Sequence, residues 1–265
     1  GIARDLAAAG LGTLKPLTVP SVASAFPCPV EIRSDDPDGC PAFYGRVVKG
    51  VTNGTSPDWM QARLKAAGQR PISALVDITN YVMLDHGRPL HVYDVAKLSG
   101  ALVARKARDG ERLVALNEKE YRLEASMTVI ADDAAVHDIG GIMGGEHSGV
   151  TETTTDVLIE CAYFDPATIA RTGQKLGLTS DARSRFERGV DPAFLGDGLA
   201  IAEIDPGKCD ALRKDFPSAL VVRCVDRPNC SEHWIRYDRA MLMHGRLPMH
   251  FAALALLLAL SATPG

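Results

Sequence analysis

Residues Gly140–Gly149 read GGIMGGEHSG, and neither a regular helix nor a long strand can be built from them. Each of these five glycines costs roughly 0.5–1 kcal/mol of helix or strand stability relative to alanine. Glycine supplies access to positive φ and close approach of backbone to another group, the two properties of a loop that lines a ligand or packs at very short range. The regular elements must therefore come from the chain on either side.

Those elements follow in order. Ile2–Leu11 has apolar residues at helical spacing and fits a helix closed by Gly10 or Gly12. Thr13–Pro41, rich in Pro, Ser and Asp, reads as linker with one short strand around Val30–Ile32. Phe43–Val51 is a strand. Ser56-Pro57-Asp58 marks a helix start, with Ser56 as cap and Pro57 in the first position, and Gly68 ends that helix. A second helix runs from Ser73 to Leu84 and stops at Gly87. Ala101–Ala107, Arg112–Leu116 and Glu120–Leu123 alternate as strands, the last two joined by a turn at Asn117–Lys119. Thr128–Ala131 leads into the glycine loop, Val157–Phe164 is a buried strand, and Asp165-Pro166 opens a helix to about Leu176. Helices mixed with hairpins, without regular βαβ alternation, define an α+β fold with largely antiparallel strands.

Composition narrows the function. A formal charge of −4 and a pI near 6.0 exclude a general nucleic-acid binder, which needs a basic face. Six cysteines without a C-x-x-C pair, in a chain long enough to bury a core, read as free thiols of a reducing cytoplasm. The N-terminus carries no signal peptide and no initiator Met, which reads as a fragment. Residues 203–265 differ in character. Met241–Gly265 has a basic start, an apolar run at Phe251–Leu260 and then small residues, the layout of a secretory signal in a place where it cannot act. The run is shorter than the ~20 residues a bilayer span needs, so no membrane is expected. Two readings stay open for it: a C-terminal helix packed on the domain, or a chimeric, mis-joined tail.

Four blocks set the loop in context: DITNYVMLDHGRPLHVYD at Asp77–Asp94, the loop itself, VLIECAYF at Val157–Phe164, and GLTSDARSRFERGVDP at Gly177–Pro192. In this order and spacing they resemble the aminoacyl-tRNA editing domain in the beta subunit of bacterial phenylalanyl-tRNA synthetase. The resemblance covers about Pro20–Ala202, making residues 20–202 an editing domain. Residues 1–19 resemble the end of the preceding domain and a linker, and residues 203–265 match nothing. It implies hydrolysis of tyrosine mischarged onto phenylalanine tRNA, in the cytoplasm, by one part of a heterotetramer with an alpha subunit. ATP and Mg belong to the whole synthetase, and no cofactor is expected in this stretch.

The residues themselves leave alternatives. His91, alone before a strand, is by type a surface or core-edge histidine; the resemblance makes it the editing-site histidine that orients water or ester. Glu160 interrupts an apolar strand, so it is either on a solvated face or a buried carboxylate that needs a partner or a task. Period two places it with Leu158 and Ala162, opposite Ile159, Cys161 and Tyr163. The resemblance gives Glu160 the hydroxyl of the mischarged tyrosine, through a charge-assisted hydrogen bond. It also gives Gly144 the close approach of the amino-acid moiety, Ser180 a catalytic hydroxyl, Ala182 the open floor of the pocket, and Thr79 and Asn80 its lining. Arg183, Arg185 and Arg188 read as a salt-bridged helix surface or as contacts to tRNA phosphates, Arg183 and Arg185 foremost. The adjacent Glu146 and His147 seldom share a target. No zinc spacing, G-x-S-x-G or G-K-[ST] ending is present. With no nucleophile, catalysis falls to positioning and to backbone N–H groups of the glycine loop. The rival readings are a non-catalytic tRNA-binding or scaffolding module and a small-molecule phosphate binder.

Overall fold

The computed structural model describes residues 2–14, 19 and 24–202; the readings made for residues 203–265 lie outside them. Helix α1 (Ile2–Ala8) ends before Gly10, which takes φ +75°. Strands β1 (Ile32–Ser34) and β2 (Ala42–Val48) precede the helices α2 (Asp58–Ala66) and α3 (Ala74–His86). Gly87 closes α3 in the left-handed conformation, its N–H on the Met83 carbonyl, and turns the chain into β3 (His91–Asp94). Then come β4 (Leu102–Lys106), β5 (Arg112–Val114), β6 (Glu120–Arg122), β7 (Thr128–Ala131), β8 (Val136–Ile139), β9 (Met143–Gly144) and β10 (Val157–Tyr163). Helices α4 (Pro166–Leu176), α5 (Asp181–Phe186) and α6 (Leu195–Ala202) complete the described chain.

A five-stranded sheet has the order β1-β4-β7-β8-β9, a three-stranded sheet the order β2-β10-β3, and β5-β6 form a hairpin. Pairing is antiparallel except between β1 and β4, so the α+β reading holds. The three-stranded sheet is the middle layer. Leu158 and Ala162 of β10 join one apolar cluster with Leu102, Val129 and Ile139 of the larger sheet. Val157, Ile159 and Cys161 join a second with Leu64 of α2, Val82 of α3 and Leu199 of α6. β10 is therefore covered on both faces, which is why it reads as a continuous apolar run. Leu158→Ala would remove a fully buried side chain at a cost of about 2–5 kcal/mol.

Two local expectations change. Ser56 does not cap α2; the helix starts at Asp58, and the Ser56 hydroxyl donates to the buried carboxylate of Asp77 on α3. Tertiary satisfaction of Asp77 outcompetes a local cap. Strands β8 and β9 have no counterpart in the sequence reading, because VHDI lacks alternation and Met143–Gly144 lies within the glycine loop. Arg88 is buried: it donates to the carbonyls of Ala162 (2.9 Å) and Asp191 and so pins the end of β10 to the segment before α6.

Candidate active site

β10 and β3 bring Glu160 and His91 face to face as register partners. Two residues further along β3, on the same face, Tyr93 packs edge-on against His91 with ring centroids 4.6 Å apart. Glu160 is buried, so the solvated-face alternative falls. The Tyr93 hydroxyl lies 2.9 Å from Glu160 Oε2 and also contacts Asp138 Oδ2 on β8. Asp138 reaches further with its other oxygen. Oδ1 accepts the Gly145 N–H at 3.1 Å and lies 3.6 Å from His91 Nε2. One carboxylate thus touches the tyrosine, the glycine loop and the surroundings of the histidine. Tyr93 and Asp138 were not singled out from the sequence. The available signals were the i, i+2 spacing of Tyr93 from His91 and an acidic residue flanked by the apolar Val136 and Ile139.

Burial is the main cause of the shifted ionisation here. It pushes the Glu160 carboxyl up to about 8, with the Asp138 charge adding to the rise and the Tyr93 hydrogen bond opposing it. That direction favours the neutral acid over the charged acceptor that the resemblance implies. Burial, then Asp138, then Glu160 hold the Tyr93 phenol well above its ordinary value. Burial likewise pushes Cys161, beside Glu160, up to about 12, which keeps it a thiol and an inert one.

His91 keeps 27% of its side chain exposed, yet its Nε2 is buried with no hydrogen-bond partner among the described residues. Such an atom suits an incoming polar group. Gly144 lies against it: a Cβ there would come within 2.7 Å of His91 Cε1 and 3.0 Å of Leu116 Cδ1. A Cβ on Gly145 would meet the His137 carbonyl oxygen at 2.2 Å. Gly141, at φ +67°, packs against Phe164, Ile169 and Phe186. The loop is thus tightly packed, with Gly144 at the histidine. Its amides are largely spent: those of Gly140, Ile142, Gly145, Glu146 and Gly149 all donate within the chain. These groups form neither a phosphate cradle nor the expected set of donors to an oxyanion.

The remaining sequence candidates fall elsewhere. Ser180 caps α5, accepting the Arg183 N–H at 3.0 Å and donating to the Ile142 carbonyl at 2.7 Å, which ties α5 to the glycine loop. Ala182 is partly buried against the core. Thr79 on α3 donates to the Val76 carbonyl at 2.8 Å, and Asn80 beside it is half-buried. Arg183 pairs with Glu187 at 3.0 Å and packs on Gly173, while Arg185 binds Asp181. Glu146 and His147 line a separate open groove of about 490 Å³ with Arg112, Leu113, Val114 and Val136. Among the described residues, no group of His, Cys, Asp and Glu side chains is placed to share a metal ion.

The chain belongs to the B3/4 domain family, whose model matches residues 39–203. It is 76% identical over 199 residues to the phenylalanine–tRNA ligase beta subunit of Novosphingobium aromaticivorans, covering 75% of this chain and 25% of that protein. The beta subunits of Zymomonas mobilis and Mesorhizobium japonicum are 61% and 58% identical, each over 202 residues and 76% of this chain. The resemblance seen in the sequence is thereby borne out, and the chain spans about a quarter of the length of these relatives.

Proposed function

We propose that this chain carries the editing site of a phenylalanine–tRNA ligase beta subunit and hydrolyses the ester of tyrosine joined to phenylalanine tRNA. The observation that carries this reading is the Glu160–His91 register pair, a buried acid and an imidazole opposed across two strands of one sheet. A synthesis site that accepts Phe admits some Tyr, because an added hydroxyl is hard to reject by shape, and a second site that bonds the hydroxyl removes the error. Glu160 would accept the phenol O–H through its carbonyl oxygen. His91 Nε2, without a hydrogen-bond partner among the described residues, would orient water or the ester carbonyl. Gly144, having no side chain, lets its backbone lie against the histidine. Ser180 would act chiefly by holding α5 and the loop together, with Ala182, Thr79 and Asn80 lining the approach. A tRNA phosphate at Arg183 or Arg185 would compete with Glu187 and Asp181. The alpha subunit and phenylalanine tRNA are the partners of this reading, the cytoplasm is its location, and ATP and Mg act elsewhere in the synthetase.

The test is release of amino acid from tyrosyl- and phenylalanyl-tRNA, by the chain and by a whole beta subunit joined to its alpha partner. Tyrosyl-tRNA should be hydrolysed faster than phenylalanyl-tRNA, and Glu160→Ala should narrow that ratio by roughly ten- to a hundredfold, the scale of leaving one buried hydrogen bond unmade. His91→Ala should slow both with a smaller change in ratio. A ratio indifferent to Glu160→Ala sinks the reading.

A further inference from the structure

The Tyr93 oxygen sits between two carboxyl groups, 2.9 Å from Glu160 Oε2 and in contact with Asp138 Oδ2, all three residues buried. A phenol has one proton and can donate to one of them at a time. The second contact is a hydrogen bond only if a carboxyl group brings a proton of its own; otherwise two anions crowd one buried oxygen. The surroundings decide which group is protonated. Asp138 has a second donor, the Gly145 N–H at 3.1 Å, and lies near His91. Glu160 has, among the described residues, the Tyr93 hydroxyl alone as hydrogen-bond partner. The groups facing or flanking it are His91 and Tyr93 from β3, Asp138 from β8, the Cys40 thiol ahead of β2, and Cys161. None of these is a fixed cation.

We propose that Asp138, acting through Tyr93, keeps Glu160 in its neutral, protonated form and, as a positioning residue, sets the pH above which the acceptor for a tyrosyl hydroxyl becomes charged. The proton order is Glu160 O–H to Tyr93 Oη, and Tyr93 O–H to Asp138. Glu160 Oε1 is left with lone pairs only, an acceptor ready for a phenol donor. This rests on the editing reading for its substrate, but the protonation relay is a property of the protein alone. Neutrality also spares the site a naked buried carboxylate whenever no tyrosyl group is present.

Carbon-13 NMR of the glutamate carboxyls in the full chain tests the relay without substrate. In the unmodified protein Glu160 should be protonated at pH 7, with its midpoint near 8. Asp138→Asn should lower that midpoint by about one pH unit or more, the effect of removing a nearby like charge. Tyr93→Phe, which removes the hydroxyl that accepts the Glu160 proton and keeps the ring, should lower it too. An unchanged thermal midpoint in both variants separates these shifts from general loosening. A Glu160 already ionised at pH 7 overturns the proposal, and that measurement needs no variant to fold; so does an unshifted midpoint in folded Asp138→Asn. The Tyr/Phe hydrolysis ratio should rise with pH through the same midpoint, as a neutral acceptor becomes a charged one, and Asp138→Asn should move that rise to lower pH. A flat ratio beside a normal titration overturns the role in recognition but not the editing reading, which falls only if Glu160→Ala leaves the ratio unchanged.

Discussion

Glu160 and His91 are direct partners across the antiparallel pair of β10 and β3, although 69 positions part them in the chain. Their apposition follows from the register of two short strands. A one-residue slip would send Glu160 to the face now occupied by Ile159 and Cys161, against the helices. The apolar set on both faces of β10 forbids that slip, so the same burial that stabilises the sheet also holds the acid opposite the histidine.

The first prediction concerns pH and stability. The Glu160 carboxyl is raised from 4.5 to about 8 in the folded protein. The native state therefore keeps a proton that the unfolded chain gives up. The Glu160 contribution is fully present below pH 4.5 and is lost as pH rises toward 8, at roughly 1.4 kcal/mol per unit. Glu160→Gln cannot ionise. It should raise the melting temperature at pH 8.5 by about 5 °C or more relative to the parent, and by much less at pH 5. Equal melting curves at both pH values would mean Glu160 is not buried as an acid.

Two neighbouring glycines should respond differently to the same substitution. A methyl group on Gly145 meets the His137 carbonyl oxygen at 2.2 Å, a backbone atom that cannot swing aside. Gly145→Ala should cost about 2 kcal/mol or more in denaturant unfolding. A methyl group on Gly144 meets the ends of two side chains, His91 and Leu116. Gly144→Ala should leave stability within about 1 kcal/mol and slow tyrosyl-tRNA hydrolysis by displacing the imidazole. The reverse order would place the tight packing elsewhere.

Ser180 offers a test of structure against chemistry. Its hydroxyl caps α5 and binds the Ile142 carbonyl. Ser180→Ala should lose about 1–2 kcal/mol of stability, and Ser180→Thr should recover most of it. If hydrolysis follows the stability of these variants, the hydroxyl is a brace. If Ser180→Ala unfolds like the parent, the cap contributes nothing measurable.

Ala182→Trp is the last test. Ala182 is partly buried against the core and borders the proposed pocket only by resemblance. A tryptophan directed into a pocket should block tyrosyl-tRNA hydrolysis at little thermal cost. A fall of several degrees in melting temperature with hydrolysis otherwise retained would assign Ala182 to the core.

Much of the architecture is legible in the chain because it depends on local rules. Gly87 and Gly177 both take positive φ at the ends of helices that the sequence places there. Asp165 caps α4 through the Thr168 N–H, as its place before Pro166 predicts. The two faces of β10 follow from period two alone. Sequence likewise marked Glu160 as a residue needing explanation, since a lone acid in an apolar strand is costly whichever way it is resolved. What resolved it is not local. The Glu160 carboxyl is raised chiefly by its burial between layers, and further by the charge of Asp138 that β8 brings beside it. Ser56 turned from the helix it precedes to Asp77, and the glycine loop spent its amides on neighbouring strands, for the same reason. Side-chain type and spacing determine which groups need partners; only the packing of layers distant in sequence decides which partners they meet, because a hydrogen bond or a charge contact depends on distance in space, not along the chain.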